Sequence, residues 1–312
     1  MKTNFNPSTR RAQFTTKDDW VVFSWITAMH LGALAAFFTF SWKAVGVCLF
    51  LWWVTGGIGI TLGYHRYFTH RSYAIPKWFE YFLAVCGCLA GEAGPIAWVA
   101  AHRYHHTYSD TENDPHSPLR GFWWAHMTWL FGREKFLAEF DSYKRFTPDM
   151  ARDPFLVFLD KWHIIPSLIL SVLLYMWGGW SFVVWGVFVR SVLVYHATWL
   201  VNSAAHIWGY RTYKISDQST NNWWVALLSF GEGWHNNHHA FQRSARHGMR
   251  WWEIDMTYRT IQFLWILGIA KDIHIPVEPA SRGMTVPVQG FGKKYPKISE
   301  PSASDFLEAS SK

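Results

Sequence analysis

Apolar residues in this chain come in long blocks separated by polar stretches, and the block lengths predict the architecture. Trp20 to Phe40 and Ala44 to Gly63 are apolar runs, each long enough for a bilayer core that needs about 20 residues. Ile164 to Val201 is too long for one helix, and Trp177-Gly178-Gly179-Trp180 near its middle supplies a turn with two interfacial anchors. It reads as two spans. Phe79 to Ala101 is also apolar, but Glu92, Gly94 and Pro95 interrupt it, which predicts a segment lying in the interface or against protein instead of crossing. The pattern predicts an all-α membrane protein with spans over 20–40, 44–63, 164–180 and 181–201. A polar tail over 1–19 would precede the membrane domain, 20–275, and a flexible Pro-, Gly- and Ser-rich tail over 276–312 would follow it.

Charge orients these spans. Half the residues are hydrophobic and 22 are Trp, yet the net charge is +7, so basic and apolar residues must be segregated. Of 29 Lys and Arg, 27 lie in residues 1–19, 64–163 or 202–312, and the exceptions are Lys43 and Arg190. The positive-inside rule then places both termini and both large polar regions in the cytoplasm. Residues 1–19 carry no short apolar core or cleavage site of a signal peptide. Cys48, Cys86 and Cys88 sit in apolar surroundings and read as buried reduced thiols.

Histidine supplies the candidate chemistry. Nine of the 16 histidines fall into four clusters: His65 and His70; His102, His105 and His106; His206, one turn after Asn202; and His235, His238 and His239. Imidazole is a ligand for iron, copper, zinc and nickel. Residues three and four apart share a helix face, so each His-x-x-His-His triplet can point at one centre. His65 and His70 diverge by roughly 140° on an ideal helix, so they would more naturally serve two ions or straddle a helix end. Nine imidazoles are too many for one ion and suit two. All four clusters fall on the cytoplasmic side of the predicted topology, whereas histidines merely snorkelling at the membrane face would have no reason to cluster. The other seven, His30, His116, His126, His163, His196, His247 and His274, read as structural, His116 with a turn-stabilising role beside the centre. Asp110, Asp114, Glu232 and Asp255 are candidates to fix imidazole tautomers.

These motifs make the chain resemble an integral-membrane fatty-acyl desaturase of the stearoyl (Δ9) group, with bacterial and cyanobacterial members nearest. His-x-x-x-x-His and two His-x-x-His-His boxes occur in the family's order, and Asn202-Ser-Ala-Ala-His206 matches the added ligand motif of the Δ9 group. Gly59-Ile-Thr-Leu-Gly-Tyr-His65, Asp114-Pro-His116 and Thr198-Trp-Leu-Val-Asn202 match as well, and the similarity runs from about Trp20 to Ile273. The resemblance implies four spans capped by a cytoplasmic helical domain with a diiron centre. Its ligands would be His65, His70, His102, His105, His106, His206, His235, His238 and His239, with Asn202 acting through a water. It implies two iron ions, O₂ as co-substrate, a saturated fatty-acyl substrate linked to membrane lipid or CoA, and a cis double bond at Δ9. Trp98, Thr198 and Trp199 would line the bend of an acyl tunnel; Trp53 and Gly57 would sit at its closed end. Animal acyl-CoA enzymes carry an Arg-Asp pair before the second box; here Ala100 and Ala101 occupy those positions, and the basic segment differs as Phe131-Gly-Arg133-Glu134-Lys135. A glycerolipid is then at least as good a carrier as CoA.

The chain contains no haem domain and no Gly-x-Gly-x-x-Gly dinucleotide signature. Electrons would come from a separate ferredoxin or cytochrome b5-type protein, to which a basic face is suited. No nucleic-acid partner is expected. Two rivals remain: a related diiron hydroxylase or ketolase, which shares the boxes but inserts oxygen, and a non-enzymatic metal-binding membrane protein. A carrier needs ligands along a path within the bilayer, and the clusters lie to one side of it.

Overall fold

The computed structural model describes residues 17–131 and 145–276. The expected N-terminal tail up to residue 16, the basic segment 133–135 and the C-terminal tail from 277 lie outside the described residues. Among the described residues the fold is helical, with no strand.

Helix α1, Lys17–Leu34, is followed by a short 3-10 turn, and α2, Trp42–Trp52, starts at Ser41, whose hydroxyl accepts from the Ala44 amide at 3.1 Å. Without a break α2 continues through wider, π-type turns over Trp53–Thr69. The apolar segment Asp19–Phe38 and the 28-residue Trp42–Thr69 are both long and apolar enough to cross a bilayer. The second runs past the predicted boundary at Gly63, carrying His65 in its last turns with His70 capping its end.

The interrupted segment forms α3, Lys77–Ala90, and α4, Pro95–Tyr108, bent by 83° where the sequence reads Gly91 to Gly94. Pro95 suits the first position of α4. Asp160 accepts from the Ile96 and Ala97 amides, both at 2.9 Å, and so caps α4 from α6, Pro154–Lys161. Helix α3 packs on α2 through two glycines. A Cβ on Gly59 would stand 2.4 Å from the Cys86 carbonyl oxygen, and one on Gly87 would stand 2.1 Å from the Tyr64 ring, so neither position accepts a side chain at this separation. With three long helices and this bent pair, the fold has three or four candidate spans.

Short α5, Phe122–His126, precedes α6, and α7, Ile165–Val183, runs on through a π-type stretch, Val184–Val189, into α8, Arg190–Asn202. The 43-residue Ile165–Ile207 is broken at Gly178 and Gly179, whose backbone is non-helical, with the exposed Trp177 and Trp180 flanking the break. Leu168, Ile169, Val172, Leu173 and Met176 present an exposed apolar face on α7, as expected of a helix in lipid. Arg190 is fully buried; it donates to the Gly186 carbonyl at 3.1 Å and to the Leu89 carbonyl, tying α8 to the end of α3. The remaining helices are α9, Ala204–Ile207; α10, Trp223–Leu228; α11, His235–Ala240; and α12, Met256–Ile266. Cys48, Cys86 and Cys88 are buried and unpaired.

Candidate metal centre

Four elements bring the nine clustered imidazoles together: the end of α2, then α4, α9 and α11. They form two groups, within each of which one ring nitrogen per residue lies within 4.8 Å of all the others. One group holds His65, His70, His102, His106 and His238; the other holds His105, His206, His235 and His239. All nine are buried except His102, which is partly so.

The grouping decides one expectation and corrects another. Of the two readings of His65 and His70, they straddle a helix end, Thr69 closing the helix and His70 standing just beyond it, and both join one group. The His70 amide donates to the His65 carbonyl at 3.2 Å, an i→i+5 turn, and the wider turn brings both rings to one side with centroids 4.7 Å apart. Conversely, each His-x-x-His-His triplet splits between the groups. His102 and His106 stay together and His105 departs; His235 and His239 stay together and His238 departs. At about 100° per residue, positions i and i+4 lie roughly 40° apart while i+3 is displaced by roughly 100° from i+4. The two boxes therefore both straddle the groups and hold them side by side.

The donor chemistry fits metal ions. The Nε2 atom of His106 approaches both His102 Nε2, at 3.0 Å, and His238 Nε2, at 3.1 Å, and His238 Nε2 also lies 3.2 Å from His65 Nε2. A ring nitrogen carries one proton or one lone pair, so hydrogen bonding cannot satisfy atoms with two such neighbours. Shared coordination can. The Nε2 atoms of His105 and His239 are buried without a hydrogen-bond partner.

Carboxylates orient the rings from behind. Asp114 faces His105 Nδ1 at 3.0 Å, Asp110 faces His206 Nδ1 at 3.1 Å, and Glu232 faces both His65 Nδ1 and His247 Nδ1 at 2.8 Å. Asp217, which the sequence did not single out, faces His239 Nδ1 at 3.1 Å. Asp255 touches no clustered histidine; it pairs with the buried Arg66 at 2.9 Å, and Arg66 in turn binds Glu232 at 3.0 Å. Burial alone would raise these acids, but His105 and His116 hold Asp114 well below the usual carboxylate range, His239 does the same for Asp217, and Arg66 for Glu232. The acids are ionised acceptors. Burial and the neighbouring imidazoles push His235 and His238 down, so these rings are neutral, as ligands must be.

Two cavities reach this centre and share Trp98, His102, Thr198 and Asn202. The wider, about 410 Å³, extends past Trp25, Ile26, Leu130, Tyr195 and Trp199. The smaller, about 50 Å³, extends past Trp52, Gly56, Ile60 and Phe230. Trp98, Thr198 and Trp199 thus line cavity walls, with Trp98 and Thr198 at the junction. Trp53 and Gly57 line neither cavity. They lie one position along the helix from Trp52 and Gly56, a Cβ on Gly57 standing 3.1 Å from the Trp53 ring and 3.4 Å from the ring of the cavity-lining Phe230. Glu92, which the sequence showed only as an interruption, accepts from Trp98 Nε1 at 3.0 Å and so fixes that junction residue, beside Thr198. Ala100 is buried, and Ala101 lines the wider cavity.

Comparison with known proteins agrees with this site. The sequence profile described as fatty acid desaturase matches residues 40–263. The chain is 57% identical over 259 residues to an sn-1 stearoyl-lipid 9-desaturase of Anabaena variabilis, covering 82% of this chain and 94% of that one. It is 51% identical over 263 residues to the enzyme of the same name from Synechocystis sp., covering 84% and 82%. It is 49% identical over 259 residues to a chloroplastic palmitoyl-monogalactosyldiacylglycerol delta-7 desaturase of Arabidopsis thaliana, covering 83% and 70%. With most of its length matched and its histidine boxes folded into two adjoining groups that could hold metal ions, the chain belongs to the fatty acid desaturase family.

Proposed function

We propose that this oxidoreductase introduces a cis double bond at Δ9 of a saturated acyl chain carried on a membrane glycerolipid. The single observation that carries this reading is the junction of two cavities at His102 and Asn202, directly against the histidine groups. A bent passage lets an acyl chain enter along one arm and seat its methyl end in the other, with a mid-chain methylene beside the ligands. The relatives named as stearoyl-lipid 9-desaturases support the position and the carrier, and Ala100 and Ala101 offer no charge for a CoA headgroup.

The five-histidine and four-histidine groups would each hold one iron ion, with Asn202, one turn before His206, adding a water-mediated contact to the four-histidine group. Bound there, two irons would supply the oxidising power from O₂ that removal of hydrogen from an unactivated methylene requires. The protein's own work is positional. Asp110, Asp114, Asp217 and Glu232 orient imidazoles, Glu92 holds Trp98 against the chain, and the apolar walls exclude water. The spans would lie in a bacterial inner membrane with the centre on the cytoplasmic side under a helical cap, and a separate ferredoxin or cytochrome b5-type protein would deliver electrons. Expression in a host lacking desaturases, with double-bond position in each lipid class fixed by mass spectrometry, tests the reading. New Δ9 double bonds in glycerolipids are expected; hydroxylated chains would shift it to the hydroxylase alternative.

A further inference from the structure

Three histidines outside the ligand set form a hydrogen-bonded row between α1, α8 and α5. His30 Nδ1 faces the Ile26 carbonyl at 2.8 Å, and His30 Nε2 faces His196 Nε2 at 3.2 Å. His196 Nδ1 faces His126 Nε2 at 3.0 Å, and His126 Nδ1 faces the Ser203 hydroxyl at 3.0 Å. Unlike the ligand rings, each nitrogen here has one partner within the row, so the row is a set of hydrogen bonds and not a convergent metal site. Counting protons gives it a specific property. The row has four contacts, and three neutral imidazoles bring three protons.

If the Ser203 hydroxyl donates to His126 Nδ1, its proton completes the count and every ring is neutral. If that hydroxyl instead donates to the Trp199 carbonyl, 2.8 Å away, His126 must donate to Ser203, and the row then needs one additional proton to fill all its contacts. Both states are fully hydrogen-bonded. They differ by one proton and by rotation of one hydroxyl. The groups recorded against the rings are Trp199, Phe122 and Trp123, two backbone carbonyls and the Ser203 hydroxyl, all uncharged, with Tyr195 stacked behind Trp199. Trp199 lies 5.2 Å from His196 and 5.8 Å from His126, within reach of cation–π stabilisation of the charged state. Ionisable side chains among apolar spans mark proton pathways more often than packing.

We propose that His30, His196 and His126 form a proton reservoir for the desaturation reaction, releasing one proton at a time through Ser203 beside Asn202. This rests on the O₂-dependent reading above. Converting –CH₂–CH₂– to –CH=CH– while O₂ becomes two waters consumes two electrons, from a one-electron carrier protein, and two protons. On release, His126 Nδ1 passes its proton to Ser203 Oγ as the hydroxyl's former proton leaves for water past Asn202, which lines both cavities where Ser203 itself is buried behind it. The new O–H then donates to His126 Nδ1, which is the neutral state. Reloading follows the same path in the opposite direction, with solvent water as the proton source.

The test uses iron-loaded protein in lipid nanodiscs with ¹⁵N-labelled histidine, and compares wild type with His196→Asn and Ser203→Ala. Nitrogen shifts should show one proton taken up by coupled imidazoles as pH falls from about 7 to 4, an uptake absent in His196→Asn. Product formation should fall at least tenfold in kcat in both variants, with KM and the chain-length profile unchanged, and Ser203→Thr should restore it. Three rings that stay neutral throughout, or Ser203→Ala at full turnover, would overturn the reservoir. Proton uptake alongside a wild type that forms no double bond would remove the desaturation reading, and with it the role but not the proton site.

Discussion

The amide of His70 donates to the carbonyl of His65 at 3.2 Å, and this one wide turn puts both histidines in one group. On an α-helix the two side chains would diverge; on the wider turn both enter the group completed by His102, His106 and His238. The turn ends a π-type stretch that begins at Trp53, and such departures from α-geometry are concentrated at functional sites.

The division into five and four rings predicts metal content. Wild-type protein purified with iron should carry about two ions per chain by elemental analysis. His238→Ala removes a ligand from the five-histidine group and His235→Ala one from the four-histidine group. Each should reduce the content towards one ion and abolish product formation while membrane insertion persists. Two ions retained in both variants would mean the groups are not the binding sites.

Asp217 faces His239 Nδ1 at 3.1 Å and is itself held by the Ser219 amide at 2.9 Å. Loss of such an orienting carboxylate costs roughly 10- to 100-fold in metal affinity or activity. Asp217→Asn should therefore lower product formation by that factor, with greater loss of iron to a chelator than in wild type. Asp255→Asn should act differently, reducing thermal stability, because it strips a partner from fully buried Arg66.

These two acids show what the sequence could and could not disclose. The histidine boxes were legible because metal ligation leaves a local signature in residue type and spacing. The spans were legible because a bilayer demands length and apolarity. Asp217 was not, since the chain from Trp208 to Asn222 is irregular and only the turns at Tyr210 and Asn221 bring it under His239. Asp255 looked equivalent to Glu232, yet folding turns it towards Arg66. Trp52 and Gly56 line the smaller cavity with Trp53 and Gly57 beside them; the π-type turns set that phase, and an α-helical count cannot anticipate it.

Stability should depend on pH through the buried histidines. Burial and the charge on His105 push His116 down to about 3, well below an unfolded value near 6.5. Between these values the unfolded chain binds the proton and the folded chain does not, so stability is fully present above about pH 6.5 and declines as pH falls towards 3. His235 and His238 are pushed down as well and add to the same slope. Metal-depleted protein in detergent should lose thermal stability progressively from pH 7 to pH 5, and His116→Asn should flatten the dependence. An unchanged slope in that variant would show that His116 is not among the groups responsible.

The smaller cavity predicts how acyl length is set. Trp52, Gly56, Ile60 and Phe230 line it, and a Cβ placed on Gly56 would stand 3.2 Å from Phe230 Cε2 and 3.7 Å from the Trp52 ring. That is space enough for a methyl group only if Phe230 yields slightly, and a larger side chain must enter the cavity itself. Close-packed walls accept added volume poorly. Gly56→Leu should therefore shift preference towards shorter chains, and Trp52→Ala should open the end and favour longer ones. Each buried methylene contributes about 0.8 kcal/mol, so a two-carbon change should alter competition between saturated chains by roughly tenfold. Trp53→Ala is the control: the residue is 42% exposed and lines neither cavity. If Trp53→Ala shifts chain length while Gly56→Leu leaves it unchanged at normal expression, the methyl end of the substrate lies elsewhere and the smaller cavity is only a packing gap.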